Sequence, residues 1–546
     1  VKISGPILRI YQTLHTWAGI SAGLFLFIAF YAGSLTMFKE PIDRWVTPPI
    51  ERMKMIEIDQ YDALIDQVMV TFPQARQEFT LHFSDTENVI APLSWYPGDV
   101  GKELKLSSGH HYASLDQNNQ LSYQEKIPSA LAELIDLLHR TAGIPYFMGD
   151  DYLGVYILGV AAIVYFLALV SGVIILLPTL VRSLFSLRIG KTAGRFWLDA
   201  HNIIGVTSLP FHIVISLTAI IFAFHDQFYD ALETVVYKEQ PMFIRADAPI
   251  EVYPIDKLLP IATLIKIVGE EAPNMAISKM DFFSLDSANA TVRVAISSPQ
   301  HMVSGAYTGY LGLNPYTGMV TMSSMLPGKE GLWGGIVSKF FSLHFGSFGG
   351  AFVRWIYFGL GLAGAFIFYS GNLLWLEKRR KKQKFNNAAP VQKVSCKILA
   401  NLTVGVCLGS IAGVAISLIS TKWLYHFAYQ SNQASLFIYY FVFVCAISWA
   451  FWRGAARSAV DLLMLCGAAC FLIPVTSVAA HLVNTPTLWA NTNIESFVID
   501  GMGLLLSCLF LYLAKLTHKR AVSSTTDSVW SEENAPEKVV IATQSC

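Results

Sequence analysis

The chain has 546 residues, 53% of them hydrophobic and 14% charged, with a mean hydropathy of +0.45. Soluble proteins carry nearer a quarter charged residues, so this composition excludes a purely soluble globular protein. Lys plus Arg equals Asp plus Glu at 39 each, which leaves no basic surplus for a nucleic-acid partner.

Eight apolar spans can be picked out along the chain: about 16–38, 152–178, 202–224, 351–375, 398–420, 435–452, 458–483 and 498–514. Each reaches or nears the roughly 20 residues that a helix needs to cross a bilayer. The expected fold is an α-helical polytopic membrane protein of about eight transmembrane helices. The first span is too long for a cleaved signal peptide and carries a histidine at its start, so it is expected to be retained.

The first large polar segment, about 39–138, reads as a small α+β unit. Its stretch Tyr61 to Ala75 has helical spacing, Glu78 to Phe83 alternates like a strand, and YASLDQNNQLSYQEK reads as strand, turn, strand. The third span reads as one helix from Trp197 to Phe224 with two histidines, His201 and His212. Eleven positions on an unbroken helix would leave both imidazoles on nearly one face, roughly 16 Å apart. The second polar segment, about 225–343, is again α+β. IDKLLPIATLIKIVGEEAP is its helix, Ala290 to Ile296 a strand, and Gly309 to Met322 a hairpin turning at Asn314 to Gly318.

The chain therefore divides into 1–38 (N-terminus and first span), 39–138 (first α+β domain), 139–224 (second and third spans), 225–343 (second α+β domain), 344–385 (fourth span and a basic loop), 386–516 (four further spans) and 517–546 (a disordered tail). The first two-thirds uses one unit twice: helix, polar domain, helix. Basic residues mark alternate links: Lys2 and Arg9; Arg182, Arg188, Lys191 and Arg195; Lys378 to Lys382 and Lys384; Arg453 and Arg457; Lys515, Lys519 and Arg520. They place both termini in the cytoplasm and the two polar domains outside. All seven cysteines lie at or after Cys396, so no disulfide braces the polar domains. Cys466 and Cys470, one helical turn apart, read as small buried residues.

Four short segments carry the chemistry: LHTWAGI (Leu14 to Ile20), LHRTAGI (Leu138 to Ile144), AHNIIGV (Ala200 to Val206) and LHFGSFGG (Leu343 to Gly350). Three contain His-x-x-x-Gly, and each sits at or just before a span. A histidine at such a depth is costly unless it meets a partner or cofactor. In the repeated unit His15 corresponds to His201 and His139 to His344. The topology puts the first pair at the cytoplasmic face and the second at the outer face. Neutral imidazole is a good axial ligand for haem iron, and a glycine one turn away gives a porphyrin room. Two haems are expected, one per pair; without a Cys-x-x-Cys-His sequence they are non-covalent haem b. Taken singly, each of these residues also reads as a polar interfacial side chain. His212 either replaces one ligand or lies between the haems. Arg140 and Arg354 near the outer histidines, and Lys191 and Arg195 near the inner ones, could pair with haem propionates or simply anchor the helix ends. His82, His110, His111 and His301 lie in the polar domains; the adjacent His110 and His111 could touch substrate or metal but read first as solvated loop residues. Gly359, Gly361 and Gly364 spell Gly-x-Gly-x-x-Gly inside a span, where the nucleotide-binding mechanism has no strand-turn-helix context.

At these motifs the sequence resembles the PepSY-associated transmembrane family of bacterial inner-membrane proteins. The likeness is carried by LHTWAGI, LHRTAGI, DAHNIIGVTSLPFH and LHFGSFGG leading to SGNLLWLEKRRKK, with YASLDQNNQLSY and YLGLNPYTGMV as the closing hairpins of PepSY-like periplasmic domains. It covers about residues 8–385. The family includes iron-regulated proteins and di-haem ferric-siderophore reductases. The resemblance implies electron transfer across the bilayer to a ferric siderophore, with His15, His139, His201 and His344 at the family's histidine positions and His212 at a position found in part of it. The donor, a quinol or a cytoplasmic reductase, is left open. Two other readings stay open beside it: a siderophore or iron permease using the last four spans, and a non-redox PepSY sensor or regulator.

Overall fold

The computed structural model describes all residues except 1–2, 85–88, 98–103, 105, 107–108, 150, 179–192, 236–250, 298–308, 324–325, 327–331, 347, 383–389, 427–430, 484–487, 524–526 and 532–546. In chain order the main elements are α1 (Gly5–Thr36), α2 (Lys39–Val46), α3 (Tyr61–Thr71), β1 (Glu78–His82), β2 (Leu93–Trp95), β3 (His110–Leu115), β4 (Leu121–Lys126), α4 (Leu131–Thr141), α5 (Leu153–Leu176), α6 (Ala193–Thr207), α7 (Leu209–Ala223) and α8 (His225–Val235). There follow α9 (Ile261–Glu271), β5 (Ala276–Phe283), β6 (Thr291–Ser297), β7 (Gly309–Leu313), β8 (Val320–Met322), α10 (Leu332–Phe345), α11 (Gly350–Arg379), α12 (Val394–Leu424), α13 (Ser431–Arg453), α14 (Ala455–Val483) and α15 (Ile494–Ser523). The chain forms two compact units: a helical unit of residues 1–48, 129–223 and 358–546, and a sheet unit of residues 49–128 and 224–357.

Among the described residues, seven helices are long and apolar enough to cross a membrane, or eight spans with a bent pair taken as one. This is a multi-pass membrane protein. α1 starts on Pro6, whose fixed φ and missing N–H suit a first turn. It then buries Ala18, Ala22, Leu26 and Phe30 at four-residue spacing. Helices α12 and α13 pack closely because α12 presents Gly405, Gly409 and Gly413. A Cβ at Gly405 would lie 2.7 Å from the Ile447 Cα, and one at Gly409 would lie 2.8 Å from the Ala446 Cβ. Small residues at that spacing let membrane helices approach to backbone contact.

The third span is not one helix. It breaks at Ser208 into α6 and α7, bent by 70°. Pro210 stands in the first turn of α7 and has no N–H for the turn before it. The hydroxyls of Thr207 and Ser208 donate to the carbonyls of Ile203 and Ile204, at 2.9 and 2.5 Å, competing for the acceptors of that turn. His201 and His212 thus stand on different helices, and the shared face expected of an unbroken helix does not exist. The tail also differs from expectation. Asp527 to Ser531 pack against the helical unit, with Trp530 buried beside Trp375 and Leu376 and with Asp527 paired to Arg380. The disorder expected for 532–546 lies outside the described residues.

The two polar segments, read as separate α+β domains, build a single eight-stranded sheet in the order β8-β7-β6-β5-β1-β2-β3-β4. The junction is antiparallel, from Glu78 opposite Phe283 to His82 opposite Lys279, with Phe79 and Phe282 stacked at 4.6 Å. One face is apolar: Phe79, Leu81, Met280, Phe282, Val292, Val294, Leu311 and Leu313 pack with residues of α3 and α9. The Asp62 carboxylate at the start of α3 accepts from the Ile261 N–H of α9 at 2.9 Å, satisfying one of that helix's open donors. On the other face Asp281 is buried. It accepts from Thr80 Oγ1 at 2.8 Å and Lys279 Nζ at 3.0 Å, with Arg293 Nη2 at 3.4 Å.

Candidate functional site

Three histidines of the helical unit are held in the same way. Each presents Nδ1 to an oxygen on a neighbouring helix. His15 of α1 meets the Ala168 carbonyl of α5 at 2.8 Å. His139 of α4 meets the Ala29 carbonyl of α1 at 2.8 Å. His201 of α6 meets the Ser370 hydroxyl of α11 at 3.0 Å. A carbonyl can only accept, so in His15 and His139 the proton sits on Nδ1 and Nε2 keeps its lone pair.

The His15 and His201 rings lie 6.3 Å apart, centre to centre, with planes at 85°. Opposite each of the three is a glycine. A Cβ at Gly172 would lie 3.1 Å from the His15 ring, one at Gly33 would lie 2.6 Å from His139, and one at Gly371 would lie 3.7 Å from His201. Any larger residue at Gly33 would push the His139 ring from its place. The glycines within the sequence motifs act differently from one another. Gly19 and Gly205 border open space. Gly346 (φ +62°) instead ends α10 in the left-handed region, and Gly143 (φ +80°) follows the left-handed Ala142 (φ +51°) that ends α4.

His212 is fully buried on α7, and neither ring nitrogen has a hydrogen-bond partner. Its neighbours are the rings of Phe30, Tyr165 and Phe211 at 5.4 to 6.0 Å, and the Tyr165 hydroxyl is also unpaired. His344 belongs to the sheet unit. It ends α10 one residue past Leu343, whose carbonyl accepts from the Tyr357 hydroxyl at 2.7 Å.

The cations expected near the histidines have nearer partners. Arg140 pairs with Asp136 at 3.2 Å, and Arg195 with the buried Asp199 at 3.6 Å, both one turn back or forward on their own helices. Arg354 is half-buried in the early turns of α11. Lys191 and His301 lie outside the described residues. His110 and His111 are not loop residues: they open β3, His111 buried and stacked on Trp95 at 4.9 Å, His110 stacked on Tyr96 at 4.0 Å. His82, in β1, meets Ser94 Oγ at 3.0 Å, and burial together with the Lys279 charge pushes its pKa down to about 4.

The positioning partners Ala168, Ala29 and Ser370 carry no sequence signal of their own. The order of these histidine segments does. A family model, PepSY-associated TM region, matches residues 12–378. The chain belongs to this family. The match takes in His15, His139, His201, His212 and His344, and stops before α12. No curated protein matches the chain. As a member of the PepSY-associated TM region family, the chain carries α12 to α15 beyond the matched residues, packed into the same helical unit.

One more group stands in those helices. Lys422 of α12 is fully buried, and its Nζ has no hydrogen-bond partner. It lies 4.2 Å from the Trp45 ring and 5.3 Å from that of Trp489. The Trp45 indole donates to Asp500 at 3.0 Å, and Ser477 donates to the same oxygen at 2.8 Å.

Proposed function

We propose that this protein is a di-haem b-type electron-transfer protein of the bacterial inner membrane. It reduces a ferric siderophore on the side of the sheet unit, taken as periplasmic, with both termini in the cytoplasm. The observation that carries the reading is the His15–His201 pair. Two metal–nitrogen bonds of about 2 Å, plus the offset of each nitrogen from its ring centre, account for a separation of this size. Each ring is also fixed by an Nδ1 contact, the outer-shell arrangement that orients a ligating imidazole. The residues present therefore fit an iron porphyrin.

His15 and His201 would hold one haem. His139 would hold the other, with His344 as the partner assigned by the repeat. His212 is the alternative, because a buried imidazole with two unpaired nitrogens calls for an occupant. Haem iron, when bound, supplies one-electron transfer; the protein sets its orientation, its tautomer partners and the exclusion of water. Ferrous iron is a softer ion of lower charge than ferric iron and binds oxygen-rich chelators poorly, so reduction releases the metal. Lys279 and Arg293 flank the single carboxylate of Asp281 on the polar sheet face, and the one positive charge in excess there supports contact with an anionic chelate.

The permease reading gains one observation, the buried Lys422 beside Asp500, since ionisable groups inside spans mark transport paths. A visible spectrum of purified protein separates the readings. A sharp dithionite-reduced α band with two haems per chain is expected. A colourless preparation from haem-replete cells overturns the proposal.

A further inference from the structure

The helical unit holds a partly open cavity of about 750 Å³ between α1 and α11 on one side and α12, α14 and α15 on the other. That volume falls within the range of about 300–1,000 Å³ typical of small-molecule sites. Its wall runs along α15 from Ile499 to Ala521, a rise of about 33 Å. That is the thickness of a bilayer's hydrocarbon core. That length and the apolar lining suit an extended hydrocarbon tail.

The lining is apolar except at one end. There Tyr369, Thr517 and Arg520 stand together among the lining residues, with Arg520 the single charged one; Tyr31 is the only other hydroxyl. This is the end that holds His15 and His201. Trp197 lines the cavity one helical turn before His201, and Tyr369 lines it one residue before Ser370, whose hydroxyl meets His201 Nδ1 at 3.0 Å. Trp197 and Tyr369, with ring centres 6.3 Å apart, form the wall between slot and histidine.

We infer that this slot binds an isoprenoid quinone, its tail along α15 and its ring at Tyr369, Thr517 and Arg520. A single long tail fits the length and the apolar lining of the slot. A flat, uncharged ring with carbonyl acceptors fits a mouth that offers donors and no carboxylate. The position beside His201 suits a redox-active head over an inert lipid. The inference names the electron donor for the function proposed above and rests on that reading for its purpose. It rests on the cavity alone for its existence.

The test is quinone content of the full-length protein purified in mild detergent, extracted and quantified by chromatography, with haem measured on the same sample. About one quinone per chain is expected. Ala459→Trp, which fills the slot, should lower it at least fivefold with haem per chain unchanged. Should A459W fail to fold, Arg520→Gln gives a second reading. Binding of a short-chain ubiquinone analogue, followed by tryptophan quenching, should weaken at least fivefold in R520Q. Quinone no higher than in an unrelated membrane protein, acyl chains alone in the extract, or unchanged binding in R520Q would each overturn the inference. Quinone retained by a protein without haem would support the slot and sink the histidine reading; haem retained without quinone would do the reverse.

Discussion

A side chain's first carbon placed on Gly33 would lie 2.6 Å from the His139 ring. Real Cβ atoms do not come that close, and His139 is fixed on its other side by the Ala29 carbonyl. Gly33→Ala should therefore displace the imidazole and lose about one haem per chain, with helix content unchanged. Gly359→Ala, where nothing lies within 4 Å, is the control and should keep both. Pyridine haemochrome assay against protein concentration reads the difference; equal haem in the two variants contradicts the assignment of His139.

Alanine at His15 or at His201 should each remove one and the same haem, so the double variant should lose no more than either single one. The second site is decided by His212→Ala against His344→Ala. Only the true partner of His139 should lose haem without additive loss when combined with His139→Ala. Haem content unaffected by all five substitutions would end the di-haem reading.

Lys422 and Asp500 are expected to behave unequally. Replacing a whole buried ion pair by apolar groups of similar volume is often neutral or stabilising, whereas removing one partner costs about 3–5 kcal/mol. Asp500 keeps its bonds from Trp45 and Ser477 when Lys422 is replaced, whereas Lys422 has no other anion among the described residues, so Lys422→Met should cost less in thermal unfolding in detergent than Asp500→Ala. Asp500→Ala should lower it by several degrees, and most of that loss should vanish in the double variant. A severe loss in K422M alone would mean that the ammonium itself supports the fold.

His82 makes the sheet unit sensitive to acid. Its folded pKa is pushed down to about 4 by burial and by Lys279, against an ordinary value near 6.5. The unfolded chain then binds the proton first, so stability is full above about pH 6.5 and falls as pH drops toward 4. The loss should be on the order of 2 kcal/mol. Denaturant melts at pH 7 and pH 4.5 should differ less in His82→Gln than in the wild type. Equal pH dependence in both would remove His82 as the cause.

The helices of the bundle were legible because length and apolarity are local properties. The bend after Thr207 has only Pro210, within an otherwise apolar run, as its local mark. Strand β5, AISKMDFF, was not read at all. Lys279 and Asp281 make it look polar, yet their side chains lie on the open face while Met280 and Phe282 fill the core. Its pairing with β1 joins residues about 200 positions apart, and no local pattern encodes that. The histidines were legible as a repeated motif. What holds them, the oxygens of Ala168, Ala29 and Ser370 and the facing glycines, depends on which helices become neighbours.

The β1–β5 junction also dictates an order of biogenesis. When the first polar segment emerges, β1 can pair β2 on one edge, but the mate for its other edge, β5, is made only after α5, α6 and α7 have been synthesised. An unpaired strand edge is a site for wrong association until it is covered. The nascent chain must keep that edge quiet across two span insertions. Maturation of the sheet then becomes a natural checkpoint on whether the early helices have threaded correctly.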